Sequence, residues 1–77
     1  MKILFFGRLG ETIGREIEFD LPSEGCTVAE LRARLAEAHG ALEAATVRAC
    51  IDREIVPETA RVLPGHEVAF LPPLSGG

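Results

Sequence analysis

The sequence has no long apolar run, and this excludes the commonest kinds of membrane protein. No apolar segment approaches the roughly 18 residues that suggest a transmembrane helix. The apolar run after Lys2 has only four residues before Gly7, which is too short for the core of a signal peptide and is typical of a strand. We therefore expect a cytoplasmic protein with no membrane association.

The sequence also has few cysteines, and the two present, Cys26 and Cys50, do not form a Cys-x-x-Cys pair. In a reducing compartment, two separate cysteines usually act as small buried hydrophobic residues rather than as a disulfide or a metal site. Cys26 lies at a predicted helix start, where a thiol can gain some thiolate character. We expect neither cysteine to carry a transferred sulfur, and we expect no bound metal.

Clustered positive charge and a phosphate-binding glycine loop are missing too. The formal net charge is -4 and the eight basic residues are scattered, which disfavours binding to nucleic acid. Gly7, Gly10 and Gly14 lack the G-x-G-x-x-G spacing and do not open a βαβ unit, so a nucleotide cradle is disfavoured and turn glycines are the simpler interpretation. The mild acidity suits solubility, or docking onto a basic partner.

What is present indicates one small domain. The 77 residues are 47% apolar, with no internal repeat and no linker, and we assign residues 1–77 to a single domain whose residues 72–77 form an extended tail. Residues 2–6 are rich in Ile, Leu and Phe and predict a strand. Residues 15–21 alternate apolar and acidic side chains, as a half-exposed strand does. Residues 7–14 between them predict a loop or a short helical turn.

The segment TVAELRARLAEAHG predicts the main helix. Thr27 and Glu30 have the spacing of a capping box, and Gly40 stands where a left-handed C-terminal cap is expected. Arg32 and Arg34 lie away from the apolar side, which predicts a solvated face. The apolar side comprises Val28, Leu31, Leu35 and Ala38.

Three further strands are predicted after the helix, at residues 46–52, 54–56 and 67–71. The link Asp52-Arg53 suggests a two-residue hairpin, although neither residue is the preferred glycine. The order strand, strand, helix, strand, strand, strand, with apolar strands at both chain ends, predicts an α+β fold in which a mixed sheet packs on one main helix. This is a β-grasp layout.

The first and last strands are apolar at consecutive positions, so both faces of the sheet should be apolar there. One set should face the helix: Ile3, Phe5, Val68 and Phe70. The other set should face away and form a protein interface: Leu4, Phe6, Ala69 and Leu71. The alternative is that residues 7–14 fold over this second face.

The end of the sequence, FLPPLSGG, predicts a projecting tail. Proline has a fixed φ and no N–H, so Pro72 and Pro73 cannot continue a sheet ladder. Gly76 and Gly77 lack Cβ and would pass through a narrow channel. The α-carboxylate of Gly77 is a poor acyl donor until another enzyme activates it, for example by adenylation. A frayed end is the alternative. We expect the inserted segment to comprise Pro72, Pro73, Leu74, Ser75 and Gly76.

Three segments, KILFFGRLGETIG, TVAELR and GHEVAFLPPLSGG, resemble the small, ubiquitin-like sulfur-carrier subunit of molybdopterin synthase over nearly the whole chain. The resemblance implies a ubiquitin-like β-grasp. It implies that an ATP-dependent activating enzyme adenylates Gly77, which then becomes a thiocarboxylate. The tail would insert into the large synthase subunit, where sulfur passes to a pyranopterin precursor to build the dithiolene that holds molybdenum. Many members carry arginine where this chain has Gly10.

The resemblance also implies that the chain is not catalytic alone, binds no cofactor tightly, carries sulfur covalently at Gly77 and works in a hetero-oligomer. Related sulfur carriers for thiamine or tRNA thiolation share this tail chemistry. A ubiquitin-like modifier attached to target lysines is a further alternative, but chain building needs acceptor lysines and Lys2 is the only one. A purely structural binding module would not need the glycine carboxylate.

Overall fold

The computed structural model describes residues 1–44 and 46–73, whose strands form two sheets. Leu74, Ser75, Gly76 and Gly77, which carry the predicted tip of the tail, lie outside the described residues. The elements in chain order are β1 (Lys2–Phe5), α1 (Arg8–Ile13), β2 (Glu16–Glu18), β3 (Cys26–Thr27), α2 (Val28–Ala36), a 3₁₀ helix (Gly40–Glu43), β4 (Arg48–Ile51), β5 (Glu54–Val56), β6 (Arg61–Val62) and β7 (Val68–Leu71).

The larger sheet has the strand order β2-β1-β7-β4-β5. β1 and β7 run parallel in its centre, with Ile3 opposite Val68 and Phe5 opposite Phe70, and the other neighbouring strands are antiparallel. β3 and β6 pair separately. The predicted α+β fold, a mixed sheet on one main helix in the ubiquitin-like β-grasp arrangement, is confirmed. The pairing of β3 with β6 was not predicted, because two-residue strands carry no periodicity.

The core lies between α2 and one face of the larger sheet, as the alternation in β1 and β7 predicts. The rings of Phe5 and Phe70 stack at the centre, with centroids 5.8 Å apart and planes inclined by 14°. The largest side chains that are fully buried are Phe5, Phe70, Ile3, Leu31, Leu42, Val28, Val62 and Val68. Removing this apolar surface from water is the main favourable contribution to folding.

The helix α2 begins as predicted but ends differently. Thr27 Oγ1 accepts the backbone N–H of Glu30 at 3.1 Å, and Glu30 Oε1 accepts the backbone N–H of Thr27 at 2.8 Å, which completes the capping box. The prediction that Gly40 is a left-handed cap is wrong, since α2 ends at Ala36 and Gly40 opens the 3₁₀ helix. The solvated position predicted for Arg32 is also wrong, because its side chain is only 12% exposed and is held by hydrogen bonds.

Residues 8–13 form the short helix α1. This matches the short helical turn that was expected here as an alternative to a loop. Leu9 is buried in the core cluster with the residues that face α2, so the alternative in which this segment covers the other face of the sheet is wrong. A Cβ at Gly10 would lie 2.8 Å from the carbonyl oxygen of Phe5. Any larger residue at this position therefore needs a backbone shift.

Four strands are shorter than predicted, namely β1, β2, β4 and β7, and the predicted hairpin is present. β1 ends at Phe5 and β2 covers only Glu16–Glu18, since β2 is an edge strand that pairs with β1 alone. Asp52 and Arg53 form the two-residue turn between β4 and β5, with φ of 49° and 71°. Such positive φ values match the twist of a hairpin even without glycine. Among the described residues, no helix is long and apolar enough to cross a membrane.

The capping box predicts a pH dependence of stability. The hydrogen bonds from the backbone and side chain of Thr27 lower the pKa of Glu30 from its ordinary value of 4.5. The stabilisation is therefore present above the ordinary pKa and is lost as the pH falls through the lowered, folded-state pKa. Glu30→Gln keeps an acceptor for the Thr27 N–H but does not titrate. Urea unfolding of both proteins across acidic pH should show the advantage of the wild type shrinking on acidification. Parallel curves would contradict this role.

Candidate docking face and tail exit

The face of the larger sheet that points away from α2, here called the outer face, carries a row of side chains that crosses all five strands. The register sets Leu4 beside Ala69 and Ala69 beside Cys50. The same register sets Glu16 at one end of the row and Ile55 at the other. Phe6 lies two residues after Leu4, and Leu71 lies two residues after Ala69. The residues predicted for the interface therefore lie in two neighbouring rows.

These residues differ in how much surface they offer. Phe6 is 48% exposed and Ile55 is 59% exposed, which is unusual for large apolar side chains, while Leu4 and Leu71 are half-buried. Ala69 lies on the outer face as predicted but is only 6% exposed, because its small side chain sits between Leu4 and Cys50. Ala69 therefore adds little accessible surface to a partner contact.

Ile55 also belongs to this face, although it was not predicted from the sequence. The two-residue turn predicted at Asp52-Arg53 places Ile55 opposite Cys50, whereas the position of Cys50 opposite Ala69 depends on the pairing of β4 with β7. The segment Glu54–Val56 alone is too short for alternation to decide which face is buried.

A groove of about 680 Å³ runs along the end of the outer face where the chain leaves β7. Arg48 is the charged member of its lining, lies opposite Leu71 in the register and is exposed. The groove is lined by Phe6, Gly7, Thr46, Arg48, Ile55, Leu71, Pro72 and Pro73. The groove is therefore mainly apolar, with one cationic group close to the tail exit.

The exit of the tail depends on close contact between Gly7 and Pro72. Gly7 has φ +57° and ψ -136°, and a Cβ at this position would lie 2.8 Å from Pro72 Cγ. The Phe6 N–H donates to the carbonyl of Phe70 at 3.1 Å, so the pairing of β1 with β7 continues up to this contact. Pro72 is thereby held against the chain that follows β1, at the edge of the groove.

Both cysteines are buried, as predicted. Burial raises the pKa of Cys26, and the nearby Glu30 carboxylate raises it further. The expectation that the helix start gives this thiol some thiolate character is therefore wrong. Burial also raises the pKa of Cys50. A thiol with a raised pKa is a poor nucleophile at neutral pH. Across residues 1–44 and 46–73, no three His, Cys, Asp or Glu side chains group in a way that could hold a metal ion.

Comparison with known proteins identifies the family. The model of the ThiS family matches residues 3–77. The chain belongs to this family. A curated relative, the molybdopterin synthase sulfur carrier subunit of Chlamydomonas reinhardtii, is 36% identical over an alignment that spans 100% of this chain and 98% of the relative. The resemblance to such a subunit, inferred from the sequence motifs, is thus confirmed.

Solved structures support the fold of this ThiS-family chain. Small archaeal modifier protein 1 (SAMP1) of Haloferax volcanii superimposes with a TM-score of 0.78 at 26% identity, covering 99% of this chain and 97% of the other. A candidate molybdopterin converting factor subunit 1 from Pyrococcus furiosus gives a TM-score of 0.79 at 24% identity, covering 95% of each chain. The second likeness concerns the fold alone.

The contact between Gly7 and Pro72 predicts a destabilising substitution. Gly7→Ala should lower the free energy of unfolding by about 2 kcal/mol, because the new methyl group adds a clash with Pro72 to the strain of a positive φ. Gly65→Ala is the matched control, since Gly65 has φ +98° and a Cβ there would meet no atom within 4 Å. It should cost only the strain, about 1 kcal/mol. Equal losses in chemical denaturation would show that the contact with Pro72 is unimportant.

Proposed function

We propose that this chain is the sulfur-carrier subunit of a molybdopterin synthase and that it carries sulfur as a thiocarboxylate at Gly77. The observation that carries the proposal is that the family match extends to Gly77, so that it includes the Gly-Gly end. The curated relative that spans the whole chain is a molybdopterin synthase sulfur carrier subunit. The location of this chain in the cytoplasm, expected from the sequence, stays a prediction.

The proposed chemistry needs an activating enzyme. The Gly77 carboxylate attacks ATP, forming an acyl-adenylate and releasing pyrophosphate. Hydrosulfide (HS⁻) released by a sulfur donor then attacks the acyl carbon and displaces AMP, which leaves the thiocarboxylate and a proton. The thiocarboxylate sulfur then attacks a carbon of the pyranopterin precursor held by the large subunit and displaces an oxygen substituent. Water cleaves the resulting thioester and restores the Gly77 carboxylate, and two such transfers complete a dithiolene. The chain itself contributes the carrier group, and its partners contribute the catalytic residues.

The outer face is the proposed docking surface for the large subunit and, in turn, for the activating enzyme. Phe6 and Ile55 expose large apolar surfaces beside the groove, and exposed apolar patches commonly mark protein interfaces. Pro72 and Pro73 line the same groove, so a partner that covers it also receives the chain leaving β7. The resulting assembly is a hetero-oligomer.

A second candidate function is attachment to other proteins as a modifier. The observation that favours it is the 26% identity and TM-score of 0.78 with an archaeal modifier protein over 99% of this chain. Both functions begin with adenylation of Gly77. They differ in the acceptor, which is a sulfur nucleophile in the first case and a target lysine in the second.

Removal of the terminal residue tests the proposed role of Gly77. Deletion of Gly77 should abolish thiocarboxylate formation by the activating enzyme and sulfur transfer with the purified large subunit. The melting temperature should be unchanged, because the core residues of the described structure all precede Pro72. Gly76→Val should have the same effect if the channel excludes side chains.

The control is the double variant Cys26→Ser, Cys50→Ser, which should still deliver sulfur if it folds. Dithiolene synthesis by the truncated protein would refute the role of Gly77. Loss of sulfur delivery in a folded, normally adenylated cysteine variant would assign the sulfur to a thiol instead.

Phe6→Arg tests the docking surface. Truncating a buried interface aromatic commonly costs about 2 kcal/mol, and a charge buried without a partner costs more. We expect affinity for the large subunit to fall on the order of a hundredfold, two factors of ten at about 1.4 kcal/mol each. Stability should change little, since Phe6 is half-exposed in the chain alone. Leu71→Arg should behave similarly.

Leu63→Arg is the matched control, because Leu63 is also a large exposed apolar residue, at 41%, but lies outside the groove lining. Calorimetric titration should find its affinity close to that of the wild type. Equal affinities for Phe6→Arg and Leu63→Arg would remove the outer face from the interface.

A further inference from the structure

The side chain of Arg32 makes five hydrogen bonds, although the sequence pattern places it on the polar side of α2. Its Nε and Nη2 each donate to one carboxylate oxygen of Glu58 at 2.8 Å. Its other hydrogen bonds go to the backbone carbonyls of Leu42 at 2.8 Å, Ala44 at 3.3 Å and Val47 at 2.7 Å. A guanidinium has five N–H donors. All five N–H groups therefore donate hydrogen bonds, and three of them donate to the backbone carbonyls of Leu42, Ala44 and Val47.

The last of these three residues, Val47, lies between two residues that line the groove. Val47 points into the core and is almost fully buried, and its N–H donates to the carbonyl of Ala44 at 3.0 Å. Thr46 and Arg48, on either side of Val47, line the groove on the outer face. Because Arg32 holds the Val47 carbonyl from the inner side of the sheet, it fixes the backbone between these two lining residues.

The same guanidinium also contacts the inner side of β7. Arg32 Cζ lies 5.5 Å from the centroid of the Phe70 ring, a distance suited to a cation–π contact. Phe70 stacks on Phe5, and these two residues precede Leu71 and Phe6 in their strands. Arg32 therefore supports the inner side of the two strands whose next residues, Leu71 and Phe6, also line the groove.

The contacts with the backbone carbonyls, and not the ion pair with Glu58, explain why position 32 needs an arginine. A lysine could neutralise Glu58, but its compact ammonium cannot reach a carboxylate and three separate carbonyls, whereas the planar fork of arginine can. Glu58 is about half-exposed, so the ion pair alone adds little to stability.

We propose that Arg32 is a positioning residue for the docking groove. By holding the carbonyls of Leu42, Ala44 and Val47 it fixes the wall formed by Thr46 and Arg48, against which the large subunit docks. The docking part of this inference rests on the proposed function, and the positioning part concerns the chain alone.

The test compares Arg32→Lys with Glu58→Gln. Arg32→Lys keeps the charge but loses the fork, whereas Glu58→Gln weakens the ion pair and leaves the three carbonyl contacts. At a temperature where melting curves show both variants folded, calorimetry should find about a tenfold loss of affinity for the large subunit in Arg32→Lys, which corresponds to about 1.4 kcal/mol. Glu58→Gln should bind within about twofold of the wild type, about 0.4 kcal/mol, because it leaves the three carbonyl contacts in place. Sucrose restores folding if a variant melts too low.

Amide hydrogen exchange in the unbound proteins provides the second measurement. Exchange at Val47 and Arg48 should accelerate at least tenfold more in Arg32→Lys than in Glu58→Gln. Equal exchange in the two variants would overturn the positioning role, and so would equal affinities for the large subunit. If the wild type does not bind the large subunit at all, the proposed function fails, and the exchange comparison still decides whether Arg32 positions the groove.

Discussion

Parallel pairing between β1 and β7 brings the first and last strands of the chain side by side in the centre of the sheet, with Ile3 opposite Val68. The intervening chain must therefore cross over, and α2 does so while covering one face of the sheet. The same pairing stacks Phe5 on Phe70 in the core and brings Gly7 against Pro72 at the end of the strands. One set of backbone contacts thus fixes both the centre of the core and the point at which the tail leaves.

The central strands are apolar on both faces, but the part of the chain that the structure describes holds only one main helix to cover them. The inner face is buried by α2 and by Leu9 of α1, while Phe6 and Ile55 stay exposed on the outer face. A second cover must come from another molecule if this surface is to leave water, as favoured by the hydrophobic effect. The groove, the cation Arg48 and the paired prolines lie together at the same end, so covering this face and receiving the tail are a single event in the proposed assembly.

The sequence predicted those features that depend on local periodicity. Alternation in β1 and β7 separated inner from outer residues, and the spacing of Thr27 and Glu30 predicted the start of α2. It did not reveal contacts between distant segments. Arg32 was expected to be solvated because amphipathic patterns treat arginine as a surface residue, yet its partners Leu42 and Glu58 lie 10 and 26 positions away.

In the proposed function, sulfur travels on the terminal carboxylate of Gly77. The most direct measurement is the intact mass of the protein purified from its native host without reducing agents that exchange sulfur, followed by fragmentation along the chain. We expect a fraction of molecules in which one oxygen is replaced by sulfur, with the mass change confined to the fragment that contains Gly77. Sulfur located instead on Cys26 or Cys50, or a terminus joined only to lysines of other proteins, would contradict the proposed function.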